Sequence, residues 1–240
     1  MEQRSRLVFV SDFVLSFMWV CSGVVVRLIV FKILGFSSHT HVAEIVKLLF
    51  SIANMFFFAL LSKVSRGGVY NPLTVLADAI SGDFRNFLSC VGSRIPAQVF
   101  GSIVGVKFLI YTIPEVGQGP RLNVDIHQGS LTEGLLTFVI VSISLGLAAT
   151  KIQGNFFMKT WISSLSKLTL HILGSDLTGG CMNPAAVMGW AYARGDHITK
   201  EHLLVYWLAP IEGTIFAVWI FKWLFRPVDK DKTGSKRKSD

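Results

Sequence analysis

Long apolar stretches, each interrupted by only a few polar positions, recur along almost the whole chain. Each stretch is long enough to cross about 30 Å of hydrocarbon as an α-helix. Most hold one or two charged residues, which are costly against lipid and normally face the inside of a helical bundle. The pattern therefore predicts an all-α membrane protein in which transmembrane helices pack around a polar interior. The six predicted transmembrane helices cover residues 7–35, 42–62, 88–111, 131–150, 156–174 and 202–225.

Two further apolar segments, 71–80 and 183–193, are too short to span a membrane. Each follows a glycine pair and begins with Asn-Pro, in the stretches GGVYNPLTVLA and TGGCMNPAAVMGWA. Asn is a helix-capping residue, and Pro is best tolerated in the first turn of a helix. The two segments are therefore predicted to be re-entrant half-helices, which begin inside the membrane.

The order of these elements repeats along the chain: three long helices, with a half-helix after the second of them. The first repeat covers about 7–111 and the second about 131–225, within a single domain of residues 1–240. Because each repeat has three spans, the repeats are inserted upside down relative to each other, and their shared site lies near the membrane midplane. The half-helices are then expected to meet N-terminus to N-terminus.

Composition supports the membrane location and indicates the orientation. The 240 residues are 51% hydrophobic and 16% charged, with a mean hydropathy of +0.53. The net charge of +8 does not indicate a nucleic-acid partner, because the basic residues are spread between apolar runs and massed in the tail, residues 226–240. Lys and Arg favour the loops of one side, so both termini and the tail are expected to be cytoplasmic. No metal site, cofactor or nucleophile–base pair is predicted.

Two half-helices that meet inside a membrane indicate transport. Each helix N-terminus carries about half a positive charge, and the amides of Asn71 and Asn183 add N–H donors. Donors at the centre and backbone carbonyls along the walls suit a single file of neutral hydrogen-bonding molecules and oppose cations. A passive channel is the first hypothesis. The alternatives are an ion-coupled transporter of inverted-repeat design and a non-conducting scaffold of the same fold.

Asp12 and Glu133 are acidic residues within predicted transmembrane helices, near the start of each repeat. Together with Glu212 they could form a proton relay, as the transporter alternative requires. Their equivalent places in the two repeats favour a structural role instead, in which each carboxylate caps the loop before a half-helix.

At this point the sequence resembles the aquaporins, or major intrinsic proteins, over nearly all of residues 7–225. RIPAQVFGSIVG and YWLAPIEGTIFA are similar to the third and sixth helices of that family. The two Asn-Pro segments look like its paired boxes, which the resemblance implies lie in a pore. The box residues are Asn71, Pro72, Leu73, Asn183, Pro184 and Ala185. The resemblance implies a homotetramer of channels for water or a small neutral solute in the lipid bilayer, and no enzyme activity.

The resemblance also implies a selectivity constriction formed by Ser51, His171, Gly180 and Ala186. Water-selective relatives have an arginine at the last of these positions, so strict water selectivity is not expected here. From the sequence alone, a hydrogen-bonded core histidine is the more common role for a lone His171 on an apolar helix, and only its match to the constriction position favours the pore instead. Leu73 stands where the family usually has alanine, and its added bulk is expected to narrow the path at the level of the Asn-Pro motifs.

The departures from the family pattern resemble the plant small basic intrinsic proteins, in the group whose first box is NPL. The first box reads Asn-Pro-Leu, the pI is about 9.6 and the tail is lysine-rich. Lys236 and Lys238 fit a dilysine retrieval pattern, KxKxx. Together these features predict a protein of the endoplasmic reticulum membrane, although short basic patterns also arise by chance.

Overall fold

The computed structural model describes residues 2–37, 40–82, 84–150 and 156–225, and these are helical apart from their connecting loops. The predicted all-α bundle is confirmed, and each predicted helix is present with ends shifted by a few residues. The helices are α1 (Glu2–Leu28), α2 (His41–Val64), α3 (Pro72–Ser81), α4 (Phe84–Ser89), α5 (Ile95–Thr112), α6 (Ile126–Ala149), α7 (Phe156–Gly174), α8 (Pro184–Arg194), α9 (Lys200–Leu203) and α10 (Ala209–Leu224).

Wide π-type turns join the shorter helices into longer segments. Ile29–Ile33 extends α1, Cys90–Arg94 joins α4 to α5, and Leu204–Leu208 joins α9 to α10. The last two turns each end two residues before a proline, Pro96 or Pro210. Proline has no N–H and its ring presses on the preceding turn, so the backbone ladder widens just before it. The pairs α4–α5 and α9–α10 therefore each cross the membrane as one segment.

Among the described residues, five segments are long and apolar enough to cross a membrane: Leu7–Ile33, His41–Val64, Phe84–Thr112, Ile126–Ala149 and Lys200–Leu224. The sixth long helix, α7, has 19 residues but is less apolar. It carries two lysines and three serines, several of which line an internal cavity. Its polar side thus faces the interior of the bundle, as is normal for charged residues in membrane helices.

Glycines allow the same close helix packing in both halves of the chain. α1 packs mainly on α5, and α6 packs mainly on α10. A Cβ at Gly101 would lie 2.1 Å from the carbonyl oxygen of Phe13, and a Cβ at Gly213 would lie 2.3 Å from that of Gly134. Only glycine permits such an approach of two backbones, which is a common way of packing helices in lipid.

The half-helices α3 and α8 lie inside the bundle and tie its two halves together. α8 packs on α5 and α3 packs on α10, so each half-helix contacts the long helices of the other half. At the outer end of α3, the carbonyl of Ile80 accepts a hydrogen bond of 2.9 Å from Lys222, near the end of α10. Lys63, at the end of α2, lies over the ring of Phe156 at the start of α7. We call this face, on which α2 and α10 end, the tail side.

Candidate functional site

The two Asn-Pro motifs start helices as predicted. Asn71 has extended backbone, and its side-chain oxygen accepts a hydrogen bond of 3.0 Å from the backbone N–H of Leu73. Asn183 caps α8 in the same way, with a bond of 3.3 Å from the N–H of Ala186. A proline follows each asparagine as the first helical residue, where its missing N–H costs nothing.

The N-termini of the two half-helices meet through a reciprocal pair of hydrogen bonds. The amide nitrogen of Asn71 donates to the carbonyl oxygen of Met182 at 2.7 Å, and that of Asn183 donates to the carbonyl oxygen of Tyr70 at 3.2 Å. Each asparagine thus uses its oxygen for its own helix and one N–H for the loop of the other. Since an amide nitrogen carries two N–H donors, each keeps a second one. Neither helix start can move without disturbing the other.

Met182 has an unusual backbone conformation at this meeting point. Its φ is +46°, in the left-handed region that residues other than glycine rarely adopt. Its N–H donates to Glu133 while its carbonyl accepts from Asn71. Backbone strain of this kind persists only where surrounding contacts enforce it, and here bonds on both sides of the residue do so.

Asp12 supports the loop before α3. Its side chain is fully buried and accepts a hydrogen bond of 2.7 Å from the backbone N–H of Val69. It also forms a two-point ion pair with Arg94, at 2.7 and 3.0 Å. Arg94 in turn donates to the carbonyl oxygen of Gly67 at 2.7 Å. The carboxylate therefore connects α1, the start of the third span and the loop that delivers Asn71.

Glu133 supports the corresponding loop before α8. Only 1% of Glu133 is exposed. Its carboxyl group accepts from the hydroxyl of Thr178 at 2.7 Å, from the N–H of Cys181 at 2.8 Å and from the N–H of Met182 at 2.9 Å. The predicted structural role of the two carboxylates is confirmed by these contacts. Donors of the loops bind both carboxylates, and Arg94 binds Asp12 as well. Because these contacts take up their oxygens, Asp12 and Glu133 do not form the relay that an ion-coupled transporter needs.

An internal cavity of about 330 Å³ leads from the tail side to the Asn-Pro motifs. Its wall comes from α2, α6, α7, the loop before α3 and the first turn of α3, and it reaches Asn71 at its inner end. The wall contains apolar side chains, several hydroxyl groups, the amide of Asn71 and two lysines. A mixed lining of this kind suits a small polar molecule. We call this cavity the vestibule.

The structure brings together two of the four residues predicted for the constriction. His171 is exposed, and its Nδ1 lies 3.2 Å from the carbonyl oxygen of Gly180. Gly180 is buried with a φ of +51°. A Cβ there would lie 2.5 Å from the carbonyl oxygen of His171, so α7 and the loop before α8 touch at this point. An exposed histidine does not fit the alternative of an ordinary core residue.

The other two predicted constriction residues do not contact this pair through hydrogen bonds in the described residues. Ser51 is half-buried, and its hydroxyl donates to the carbonyl of Lys47 in its own helix at 2.8 Å. Ala186 lies in the first turn of α8, partly packed against the cluster that contains Trp190. Their place in a constriction stays a prediction.

Leu73 does not point into the vestibule. It is only 2% exposed, whereas its neighbours Asn71 and Thr74 form part of the vestibule wall. Helix periodicity explains the difference, since Thr74 lies about 100° further around α3 than Leu73. This burial argues against Leu73 as the narrowest point of the path and gives it a packing role.

Replacing Leu73 with Ala is therefore expected to lower stability rather than to raise flux. Removing a fully buried leucine side chain costs about 2–4 kcal/mol. Thermal unfolding in detergent and solute flux in vesicles measure the two effects. Leu60→Ala is the matched control, because Leu60 is 50% exposed on α2. A faster flux from Leu73→Ala at unchanged stability would restore Leu73 as the bottleneck.

Sequence reasoning missed three residues at the site. Tyr70 and Thr74 line the vestibule beside Asn71, and Lys167 on α7 also forms part of its wall. Lys167 was visible as a charge inside an apolar helix, but its direction depends on how α7 packs. The proposed retrieval residues Lys236 and Lys238 lie outside the described residues.

Comparison with known proteins agrees with this geometry. A model of the major intrinsic protein family matches residues 3–221. The chain is 61% identical over 231 residues to a protein of Arabidopsis thaliana named probable aquaporin SIP2-1, covering 96% of this chain and 97% of that one. It is 48% identical over 235 residues to aquaporin SIP2-1 of Oryza sativa, covering 96% and 93%. The X-ray structure of the aquaglyceroporin from Plasmodium falciparum matches with a TM-score of 0.66 and 19% identity, covering 92% and 96%. That likeness shows the shared fold.

Proposed function

This chain belongs to the major intrinsic protein family, the aquaporins, and is therefore a membrane channel for water or small solutes and not an enzyme; we propose that its solute is neutral and crosses in single file between α3 and α8. The reciprocal bonds of Asn71 and Asn183 carry this proposal. They hold two positive helix ends together in the middle of the bundle. A solute at this point meets the second N–H of each amide and a potential that disfavours cations.

The path continues from the Asn-Pro level in two directions. Toward the tail side it widens into the vestibule. In the other direction we propose that it passes a constriction made by Ser51, His171, Gly180 and Ala186. The contact between His171 and Gly180 supports this assignment. Since Gly180 has no side chain, this end is expected to admit solutes larger than water.

The chain is proposed to form one channel unit, with repeats of about 7–111 and 131–225 and a basic cytoplasmic tail at 226–240. The similar packing of α1 on α5 and of α6 on α10 supports this division. A homotetramer is proposed from the family resemblance. The bias of Lys and Arg supports cytoplasmic termini.

Flux measurements on the purified protein in vesicles test the proposed function. Stopped-flow swelling should be faster than in vesicles without protein for at least one of water, glycerol and hydrogen peroxide. The flux should run only down the solute gradient. Accumulation of solute against its gradient when an ion gradient is imposed would instead indicate a coupled transporter. Absence of flux for a range of small solutes would indicate a scaffold.

Location in the endoplasmic reticulum is proposed from the dilysine pattern at Lys236 and Lys238 and from the resemblance to the small basic group. Changing both to Ser is expected to release a tagged protein to later compartments, as seen by microscopy and by glycan processing of a tag. The matched control changes Lys230 and Lys232, which lie in the same tail but outside the pattern. Full retention of the Lys236→Ser, Lys238→Ser variant would contradict a retrieval role for this pattern.

A further inference from the structure

A lysine lies deep in the vestibule, close to the Asn-Pro motifs. Lys167 is half-buried on α7 and forms part of the vestibule wall together with Asn71 and Tyr70. It lies one helical turn from His171 along α7, toward the tail side. Lys167 therefore occupies the inner part of the vestibule, on the other side of the Asn-Pro level from the predicted constriction.

Aromatic contacts hold the position of this lysine. Its Nζ lies 5.8 Å from the centroid of the Tyr70 ring. The Tyr70 ring is stacked on Trp19 at 4.0 Å and meets Phe58 edge-on at 5.1 Å. The ring is thus fixed from two sides, and a cation near its face is stabilised by the ring quadrupole. The carbonyl of Tyr70 accepts the bond from Asn183, so the same residue contacts both the lysine and the central pair of amides.

The charge of Lys167 is not neutralised within the described residues. No salt bridge of Lys167 is present there, and no Asp or Glu belongs to the vestibule wall. The other charged residue of the wall is also a lysine, Lys159, whose Nζ lies 3.4 Å from the carbonyl oxygen of Thr150 at the end of α6. A cavity with low-dielectric walls focuses the field of such fixed charges. The vestibule is therefore electropositive from its mouth to its inner end.

The predicted constriction lies on the other side of the Asn-Pro level from the vestibule. The residues predicted for the constriction include no lysine or arginine, and Gly180 and Ala186 add almost no side chain. We propose that Lys167 is the charge-selectivity residue of this channel: its ammonium group excludes cations at the vestibule while neutral solutes pass. This inference rests on the proposed function, because it assumes that the vestibule belongs to the conduction path. The half-helix dipoles act in the same direction but carry only partial charges.

Replacing Lys167 with Met tests this role, since Met keeps a flexible chain of similar length and removes the charge. Potassium conductance in planar bilayers is expected to rise about tenfold or more over the wild type. Lys167→Arg keeps the charge and is expected to retain the barrier. Lys167→Glu is expected to move the reversal potential in a KCl gradient toward the potassium equilibrium potential.

Lys107→Met is the matched control. Lys107 also lies in a transmembrane helix with its Nζ over a tyrosine ring, at 4.8 Å from Tyr192, but it is not part of the vestibule wall. It loses the same charge and the same kind of contact, and its potassium conductance is expected to equal that of the wild type. Gel filtration and helix content confirm that each variant is folded, and Lys167→Gln replaces Lys167→Met if the latter is not.

The flux of neutral solutes through the wild-type protein is measured in the same preparations. This flux tests the proposed function, whereas the potassium conductance of the variants tests the role of Lys167. A rise in potassium conductance for the uncharged variants at position 167, but not for Lys107→Met or Lys167→Arg, supports the inference whether or not a neutral solute has been found. Unchanged potassium conductance and unchanged reversal potential in folded Lys167 variants would overturn it. An equal rise in the Lys107 variant would overturn it as well, because the effect would then be a general loss of packing.

Discussion

Glu133→Gln is expected to abolish flux and to lower the free energy of unfolding by about 1–3 kcal/mol. The carboxyl group of Glu133 receives three donors, two at one oxygen and one at the other. A glutamine offers one acceptor oxygen and places an NH₂ group against at least one of these donors. The donor is then buried without a partner, and the loop that carries Met182 and Asn183 loses its support. Stopped-flow swelling and thermal unfolding in detergent measure the two effects.

Glu212→Gln is the control for this change, because Glu212 is also a carboxylate in a transmembrane segment but is exposed on α10. It is expected to leave stability within about 0.5 kcal/mol of the wild type. The prediction is wrong if Glu133→Gln keeps both its stability and its flux. A variant that keeps downhill flux but loses a dependence on an ion gradient would restore the transporter hypothesis, since Glu133 would then carry protons rather than hold a loop.

Gly180→Ala is expected to reduce flux at least about tenfold and to destabilise the protein by about 2–4 kcal/mol. Two independent causes act in the same direction. The φ of +51° is unfavourable for an L side chain, and the new Cβ would lie 2.5 Å from the carbonyl oxygen and 2.9 Å from the Cα of His171. Since both neighbours are backbone atoms of α7, the helix or the loop must shift. The bond from His171 to the Gly180 carbonyl lies at the same point and is expected to be lost.

Gly146→Ala supplies the control for an added methyl group in this protein. Gly146 lies in α6, and a Cβ there meets no atom within 4 Å. This substitution is expected to be neutral or slightly stabilising, because alanine favours a helix more than glycine does. Swelling rates at matched protein density and unfolding temperatures compare the two variants. Wild-type rates and stability for Gly180→Ala would show that α7 and the loop separate easily and that this contact does not define the path.

Much of the fold could be predicted from the sequence because lipid imposes simple rules on a chain. Backbone groups in hydrocarbon must be hydrogen-bonded internally, so long apolar runs become helices whose lengths can be counted. The Asn-Pro motifs added the half-helices, since capping at Asn71 and Asn183 is decided by residues within one turn. The carboxylates Asp12 and Glu133 could be assigned to the loops because they occur at equivalent places in the two repeats.

The part that could not be predicted concerns the direction of side chains. Leu73 was expected to narrow the path, yet it is buried while Thr74 lines the vestibule. Lys167 was one of several charged residues within the predicted transmembrane helices. The hydrophobic pattern around it gave no reason to expect that Lys167, rather than Lys107, would face the vestibule. The difference between these residues arises from the rotation of a helix about its own axis, which depends on contacts with several other helices.

The sequence by itself determined the class of protein, the number and approximate limits of its long apolar segments and the two points at which half-helices begin. These properties depend on hydrophobic length and on capping, and both can be read within one continuous stretch of the chain. The tertiary structure alone decided that Asn71 and Asn183 bond to each other's loops, that His171 touches Gly180 and that Lys167 faces the vestibule. Such contacts join residues far apart in the chain, and close packing between helices, aided by glycines where backbones touch, fixes which of them meet.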